Sequence, residues 1–281
     1  MIDSQRCTPL ETIRDIAAEF DAFIVDQFGV LHDGYHPYPS AKHTLRWLMD
    51  ESKTVIILSN SGKRSYINEQ RMEKLGFARS LYTHFVTSGD VAHDTVNAWQ
   101  VKATPRRCLL VARDADTSAI DGLDLILTED AATADVVIIS ASEADKYSEQ
   151  HYQQKLRIAA ERQIPCLCTN PDKLMLTASG IRFGAGHIAK LYQDMGGAVQ
   201  WIGKPYQRIY AYASRLLGDI PAHRVMCVGD SLEHDIAGGL NAGFRTLFIS
   251  GGIHQDLGKA ELEQSMQHHQ AVPHFQMRYF G

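Results

Sequence analysis

An aspartate that closes an apolar run and is followed three residues later by a glycine has the makings of a nucleophile, and AFIVDQFGVL offers this at Asp26 and Gly29. A strand-end carboxylate can attack phosphorus, and the glycine lets backbone approach a phosphate closely. Taken alone, the same aspartate would also serve as a turn cap. The run Ile56-Ile57-Leu58 ends in Ser59 and Asn60, a hydroxyl and an amide suited to phosphoryl oxygens at a strand-to-helix junction, or to capping that helix. Lys204 precedes Pro205, which places its charge near the positive end of a proline-started helix and suits it to neutralising a phosphate; a solvated loop lysine is the plainer alternative. In VGDSLEHDIAGG, Asp230 and Asp235 flank a turn from an apolar run into a small-residue helix. That spacing lets Asp230 ligate a cation while Asp235 supports the site from behind, and Mg²⁺ suits it, since it takes one or two carboxylates plus waters and a substrate phosphate.

These groups can meet only if the elements bring them together. Short apolar runs alternate with longer helical patterns, which implies βαβ units and an α/β fold built on a mainly parallel sheet. Strands are expected at 22–28, 54–59, 107–112, 135–140, 165–170, 224–230 and 245–250. Several end in polar residues, and open α/β sheets bind ligands beyond the carboxyl ends of their strands. Asp26, Ser59, Asn60, Asn170 and Asp230 are therefore the strand-end candidates. Helices are expected at 40–52, 65–77, 148–163 and 205–218, with Pro205 in the first turn of the last and Gly218 at its C-terminus.

Composition narrows the function classes. The 281 residues are 44% hydrophobic, enough for one large domain or two modest ones. A formal charge of -5 arises from 33 acidic and 28 basic residues mixed along the chain, without a basic run that would mark a nucleic-acid or membrane surface. A small-molecule partner is the expectation, in a cytoplasmic protein with no signal peptide and no spanning helix; self-association is left open. Cys7, Cys108, Cys166, Cys168 and Cys227 read as reduced cysteines, the last four in buried strands. Gly184-Ala185-Gly186-His187 begins like a dinucleotide fingerprint but does not complete G-x-G-x-x-G, so a compact helix start fits better.

Taken in order, DQFGVLHDGYHPYPSA, ILSNSGKRS, CTNPDK, IGKPY and VGDSLEHDIAGG resemble the motifs of the haloacid dehalogenase superfamily, and most closely its class IIA phosphatases. The resemblance implies a Rossmann-like core formed by residues 1–88 and 178–281, with an inserted α/β cap of the C2 type at 89–177 that selects substrate. It implies Asp26 as nucleophile and metal ligand, Ser59, Asn60 and Lys204 on the phosphoryl group, Asp230 and the backbone carbonyl of Phe28 on Mg²⁺, and Asp235 behind them. The expected activity is Mg²⁺-dependent hydrolysis of a small phosphorylated metabolite through an aspartyl-phosphate.

One position departs from that pattern. The family normally has a second aspartate two residues after the nucleophile, to protonate the leaving group, and here Phe28 stands there. A phenyl ring transfers no proton, and positioned acid–base catalysis is commonly worth about 10²–10⁴-fold. His32, Asp33 and His36 follow closely and are the candidates for a substitute. The departure keeps open a second reading, a catalytically weakened protein that binds or senses a phosphorylated metabolite.

Overall fold

The computed structural model describes residues 7–99, 106–177, 180–254 and 257–281. Among them the strands are β1 (Thr8–Pro9), β2 (Ala22–Asp26), β3 (Thr54–Ser59), β4 (His84–Thr87), β5 (Arg106–Val111), β6 (Leu125–Leu127), β7 (Val136–Ile139), β8 (Cys166–Cys168), β9 (Leu174–Thr177), β10 (Gly180–Phe183), β11 (Val199–Trp201), β12 (Val225–Gly229), β13 (Arg245–Ile249) and β14 (Phe275–Met277). The α-helices are α1 (Ala41–Asp50), α2 (Ser65–Lys74), α3 (Ser88–Trp99), α4 (Glu149–Glu161), α5 (Ala185–Asp194), α6 (Gln207–Leu217), α7 (Ala237–Asn241) and α8 (Lys259–His268). The described residues divide into two compact units, the first made of 7–59, 69–86, 204–254 and 257–281, the second of 60–68, 87–99, 106–177 and 180–203.

The first unit is organised by a seven-stranded sheet in the order β1-β14-β13-β12-β2-β3-β4. β2 lies between β12 and β3 and is parallel to both. Its near-continuous apolar run is what a strand covered on both faces requires. Alternation then sorts the side chains. Phe23 and Val25 are in register with Val55 and Ile57 on one side and Met226 and Val228 on the other, and all six enter the same core cluster. Leu45 and Leu48 of α1 join this cluster, because Ala41, Thr44, Leu45 and Leu48 recur along one stripe of that helix. Phe248, Leu232 and Ile236 form a separate cluster with Ala271.

The second unit carries a five-stranded sheet in the order β11-β8-β7-β5-β6, parallel throughout, and the antiparallel hairpin β9–β10. Tyr152, Leu156, Ala159 and Ala160 of α4 and Ile188, Ala189 and Tyr192 of α5 pack with Val137, Ile139, Cys166 and Cys168 in its core. Cys108, Cys166, Cys168 and Cys227 are buried free thiols in strands, as the sequence suggests. Gly184 precedes α5 as its N-cap, the compact helix start expected there.

The division of the chain differs from the expected 89–177 insertion. β11 hydrogen-bonds to β8, so residues 180–203 group with the second sheet rather than the first, and 60–68 do likewise. Pro205 also precedes α6 instead of opening it: Tyr206 is the N-cap, and the Lys204–Pro205 peptide bond is cis. Gly218 does end that helix, at φ 61°.

Candidate active site

Because β2, β3 and β12 are adjacent and parallel, their carboxyl ends fall together. Leu58 pairs with Asp26 and Val228 with Val25, so Ser59, Asp26, Gly229 and Asp230 leave the sheet along the same edge. Beyond β12 the chain makes a π-helical turn, Leu232–Ile236, before α7. Ser231 caps it by accepting a hydrogen bond from the His234 N–H at 3.1 Å. π turns recur at functional sites, and this one turns Asp235 back toward the strand ends.

Lys204 ties the site together. Its Nζ donates to Asp26 Oδ1 and to Asp235 Oδ1, both at 2.6 Å. The Asp235 carboxylate also accepts from the Ser231 N–H at 3.1 Å, and the Asp230 carboxylate from the Ile253 N–H at 2.7 Å. His234 Nδ1 lies 3.1 Å from the Lys204 carbonyl, and the Tyr210 hydroxyl donates to the His234 carbonyl at 2.8 Å, so α6 braces the lysine loop and the π turn at once. Glycines make the fit possible. A Cβ on Gly29 or Gly252 would stand 1.9 or 2.1 Å from Asp230 Oδ2, and one on Gly229 would stand 2.1 Å from Asp235 Cβ.

The electrostatics are those of too many acids in a dry place. Lys204, Asp230 and Asp235 are 2–3% exposed. Burial pushes Asp26 up to about 7, with Asp235 adding to the rise and Lys204 opposing it. Burial likewise holds Asp230 well above the carboxylate range, reinforced by Asp26 and Asp235. For Lys204 burial works against the charge, but Asp235 and Asp26 outweigh it and raise its pKa. Three carboxylates facing one ammonium have two negative charges left over when all are ionised. A divalent cation removes that excess and reverses the upward pressure on the acids. One oxygen from each of Asp26, Asp230 and Asp235 lies within 4.8 Å of the others, and among the described residues no other group of three such side chains is close enough to hold an ion. The donor set is all oxygen, which suits Mg²⁺ or Ca²⁺ over softer metals.

Of the residues singled out from sequence, Asp26, Lys204 and Asp235 are in direct contact, Asp230 lies within reach of both carboxylates, and Ser59, buried, ends the neighbouring strand. Asn60 belongs to the second unit, where its amide donates to Asp172 Oδ1 at 2.9 Å. Asn170 is in that unit too, accepting from the Asp172 N–H. His32 is buried against Phe77 and Phe28, and burial, with Arg71 adding, pushes it down to about 4. Gly252, Tyr210 and His234 were not visible as site residues in the sequence. A Gly-Gly pair just past β13, at a strand end, is the one signal that pointed to the first.

A model of haloacid dehalogenase-like hydrolases matches residues 23–126, and a second model of such hydrolases matches 201–276. The chain is a haloacid dehalogenase superfamily hydrolase of class IIA. Each match contains part of the site: Asp26 and Ser59 in the first, Lys204, Asp230 and Asp235 in the second. Among curated relatives of this hydrolase are a dihydroxyacetone phosphatase of Corynebacterium glutamicum, 26% identical over 245 residues covering 84% of this chain and 82% of the relative. An acid sugar phosphatase of Staphylococcus aureus is 25% identical over 244 residues, covering 84% and 88% respectively. A solved haloacid dehalogenase-like hydrolase from Brucella suis superposes with a TM-score of 0.83 at 26% identity, over 97% of this chain and all (100%) of that one.

Proposed function

We propose that this hydrolase, a phosphatase of the haloacid dehalogenase type, releases phosphate from a small phosphorylated metabolite in a Mg²⁺-dependent reaction through an aspartyl-phosphate on Asp26. The observation that carries the reading is the placement of Asp26 at a strand end, 2.6 Å from the buried Lys204 ammonium and beside two further carboxylates. Asp26 attacks phosphorus through a carboxylate oxygen. Lys204 and Ser59 hold the phosphoryl oxygens, and Asn60 is proposed to assist them. Asp26, Asp230 and the Phe28 carbonyl would hold the cation, with Asp235 fixing Lys204. Bound there, Mg²⁺ supplies charge neutralisation between carboxylate and phosphate. The second unit acts as the substrate-selecting cap. The sugar-type substrates in the relatives' names support a phosphorylated metabolite, and among the described residues no helix is long and apolar enough to cross a membrane.

The test is a screen of the purified protein with Mg²⁺ against sugar, alkyl, aryl and acyl phosphates. Phosphate release from at least one class is expected. The exposed Phe28 ring favours a second reading, a protein that binds a phosphorylated metabolite and turns it over poorly. Saturable binding without release from any of them would select that one.

A further inference from the structure

Phe28 stands two residues beyond Asp26, and 43% of it is open to solvent. Its ring is nonetheless held. His32 meets it edge-on with centroids 5.9 Å apart, and the two residues are joined by a backbone bridge. Gly34, at φ 101°, comes so near that a Cβ there would stand 3.0 Å from Phe28 Cε2. Arg71 closes the turn by donating to the Gly34 carbonyl at 3.0 Å. Gly29, the next residue along, touches the Asp230 carboxylate, so this fixed apolar surface borders the acidic cluster. A preorganised aromatic face costs little to dock against.

Where the family places an aspartate, this turn presents a phenyl ring, which transfers no proton. His32 is 1% exposed and its Nδ1 accepts from the Gly34 N–H at 2.9 Å. Asp33 Oδ1 accepts from the N–H groups of Tyr35 and His36 at 2.7 and 2.6 Å, and the open His36 side chain pairs with Asp33. In transfer to Asp26, a P–O bond forms to the carboxylate and the P–O bond to the leaving group breaks, with its electron pair going to the leaving oxygen. With a phenyl ring in the place of the usual proton donor, that oxygen departs as an anion. Water then attacks the phosphorus of the aspartyl-phosphate, the electron pair returns to the Asp26 carboxylate, and phosphate leaves while a water proton goes to solvent. An alkoxide leaves badly on these terms, whereas a phenolate, enolate or carboxylate leaves well because its charge is delocalised.

We propose that Phe28 is a specificity-determining residue that confines this site to phosphorylated compounds whose leaving oxygen departs as a stable anion (aryl, enol or acyl phosphates), the planar leaving group lying on the Phe28 ring. The inference rests on the phosphatase reading, and it departs from the dihydroxyacetone and sugar phosphatases among the relatives. It is tested by kcat/KM of the Mg²⁺-loaded enzyme for p-nitrophenyl, phenyl, acetyl and glycerol phosphates, with Phe28→Asp and Phe28→Leu alongside. The wild type should favour the aryl and acyl compounds over glycerol phosphate by about 10²-fold or more, and Phe28→Asp should narrow that gap at least ~10-fold by supplying the proton. Phe28→Leu, which keeps an apolar side chain, should retain the steep dependence while raising KM for the aryl esters several-fold, roughly the loss of one aromatic contact. Glycerol phosphate turned over within about threefold of p-nitrophenyl phosphate by the wild type would overturn the proposal and leave the phosphatase reading standing. Release from none of the four would overturn both.

Discussion

A Cβ on Gly29 would stand 1.9 Å from Asp230 Oδ2, so the loop after β2 and the carboxylate at the end of β12 share a space with no room for a methyl group. Gly29 also sits at φ 85°, where L-residues are strained. Gly29→Ala should therefore lose about 1–2 kcal/mol of stability from the backbone alone. By displacing Asp230 it should also weaken Mg²⁺ binding by about 10-fold or more. Calorimetric titration with Mg²⁺, run beside thermal unfolding, checks both. A stable Gly29→Ala protein with wild-type Mg²⁺ affinity would remove Asp230 from the metal site.

Lys204 is the cation that makes the buried acids tolerable, and its side chain is 4% exposed. Lys204→Met keeps the length and removes the charge, leaving Asp26 and Asp235 unpaired. Breaking a buried pair from one side costs about 3–5 kcal/mol. Urea unfolding without metal should show a loss of that order, and Mg²⁺ should recover part of it. A loss under about 1 kcal/mol would mean the acids are neutral in the folded protein without the lysine.

His32 provides a pH dependence separate from the acids. Burial lowers its pKa to about 4, with Arg71 adding to the effect. The unfolded chain titrates near 6.5. Since the folded value is the lower one, the contribution to stability is complete above about pH 6.5 and is lost as pH falls toward 4, amounting to about 3 kcal/mol across that window. His254 and His274, also lowered by burial, act in the same direction. Urea unfolding between pH 7 and 4.5 should show the decline, and His32→Asn should flatten it. An equally steep curve in the variant would assign the loss to other groups.

Metal removal is the fourth expectation. EDTA should silence phosphate release, and Asp230→Ala should raise the Mg²⁺ concentration for half-activity by about 10-fold or more. Ca²⁺ should support little turnover, because its longer bonds and larger coordination number misplace the phosphoryl group. Full activity in EDTA would contradict the account.

The parts of the fold that sequence revealed are those under a single strong constraint. β2, β3, β12 and β13 read as strands because they are buried on both faces, which demands unbroken apolar runs such as Val55–Leu58. Once they are parallel neighbours, Asp26, Ser59 and Asp230 have to share an edge. The short strands β4 and β11, of mixed composition, were not foreseen, since tertiary pairing rather than local propensity decides them. For that reason the expected boundary near 177 differs from the observed one, and 180–203 belong to the second unit. Asn60 illustrates the same limit: it neighbours Ser59 in sequence, but its partner Asp172 is 112 residues away. The brace from Tyr210 through His234 to Lys204 depends on a π turn that leaves no periodic trace.

The central claim is that Asp26 carries the phosphoryl group. The direct measurement is peptide mass spectrometry of enzyme quenched in acid during turnover of a substrate found in the phosphatase screen, with Asp26→Asn treated in parallel. The account predicts a phosphoryl adduct, about 80 Da, on the peptide containing Asp26 in the wild type, and neither adduct nor phosphate release in a folded Asp26→Asn. Phosphate release near the wild-type rate from Asp26→Asn, or an adduct confined to another residue, would contradict it.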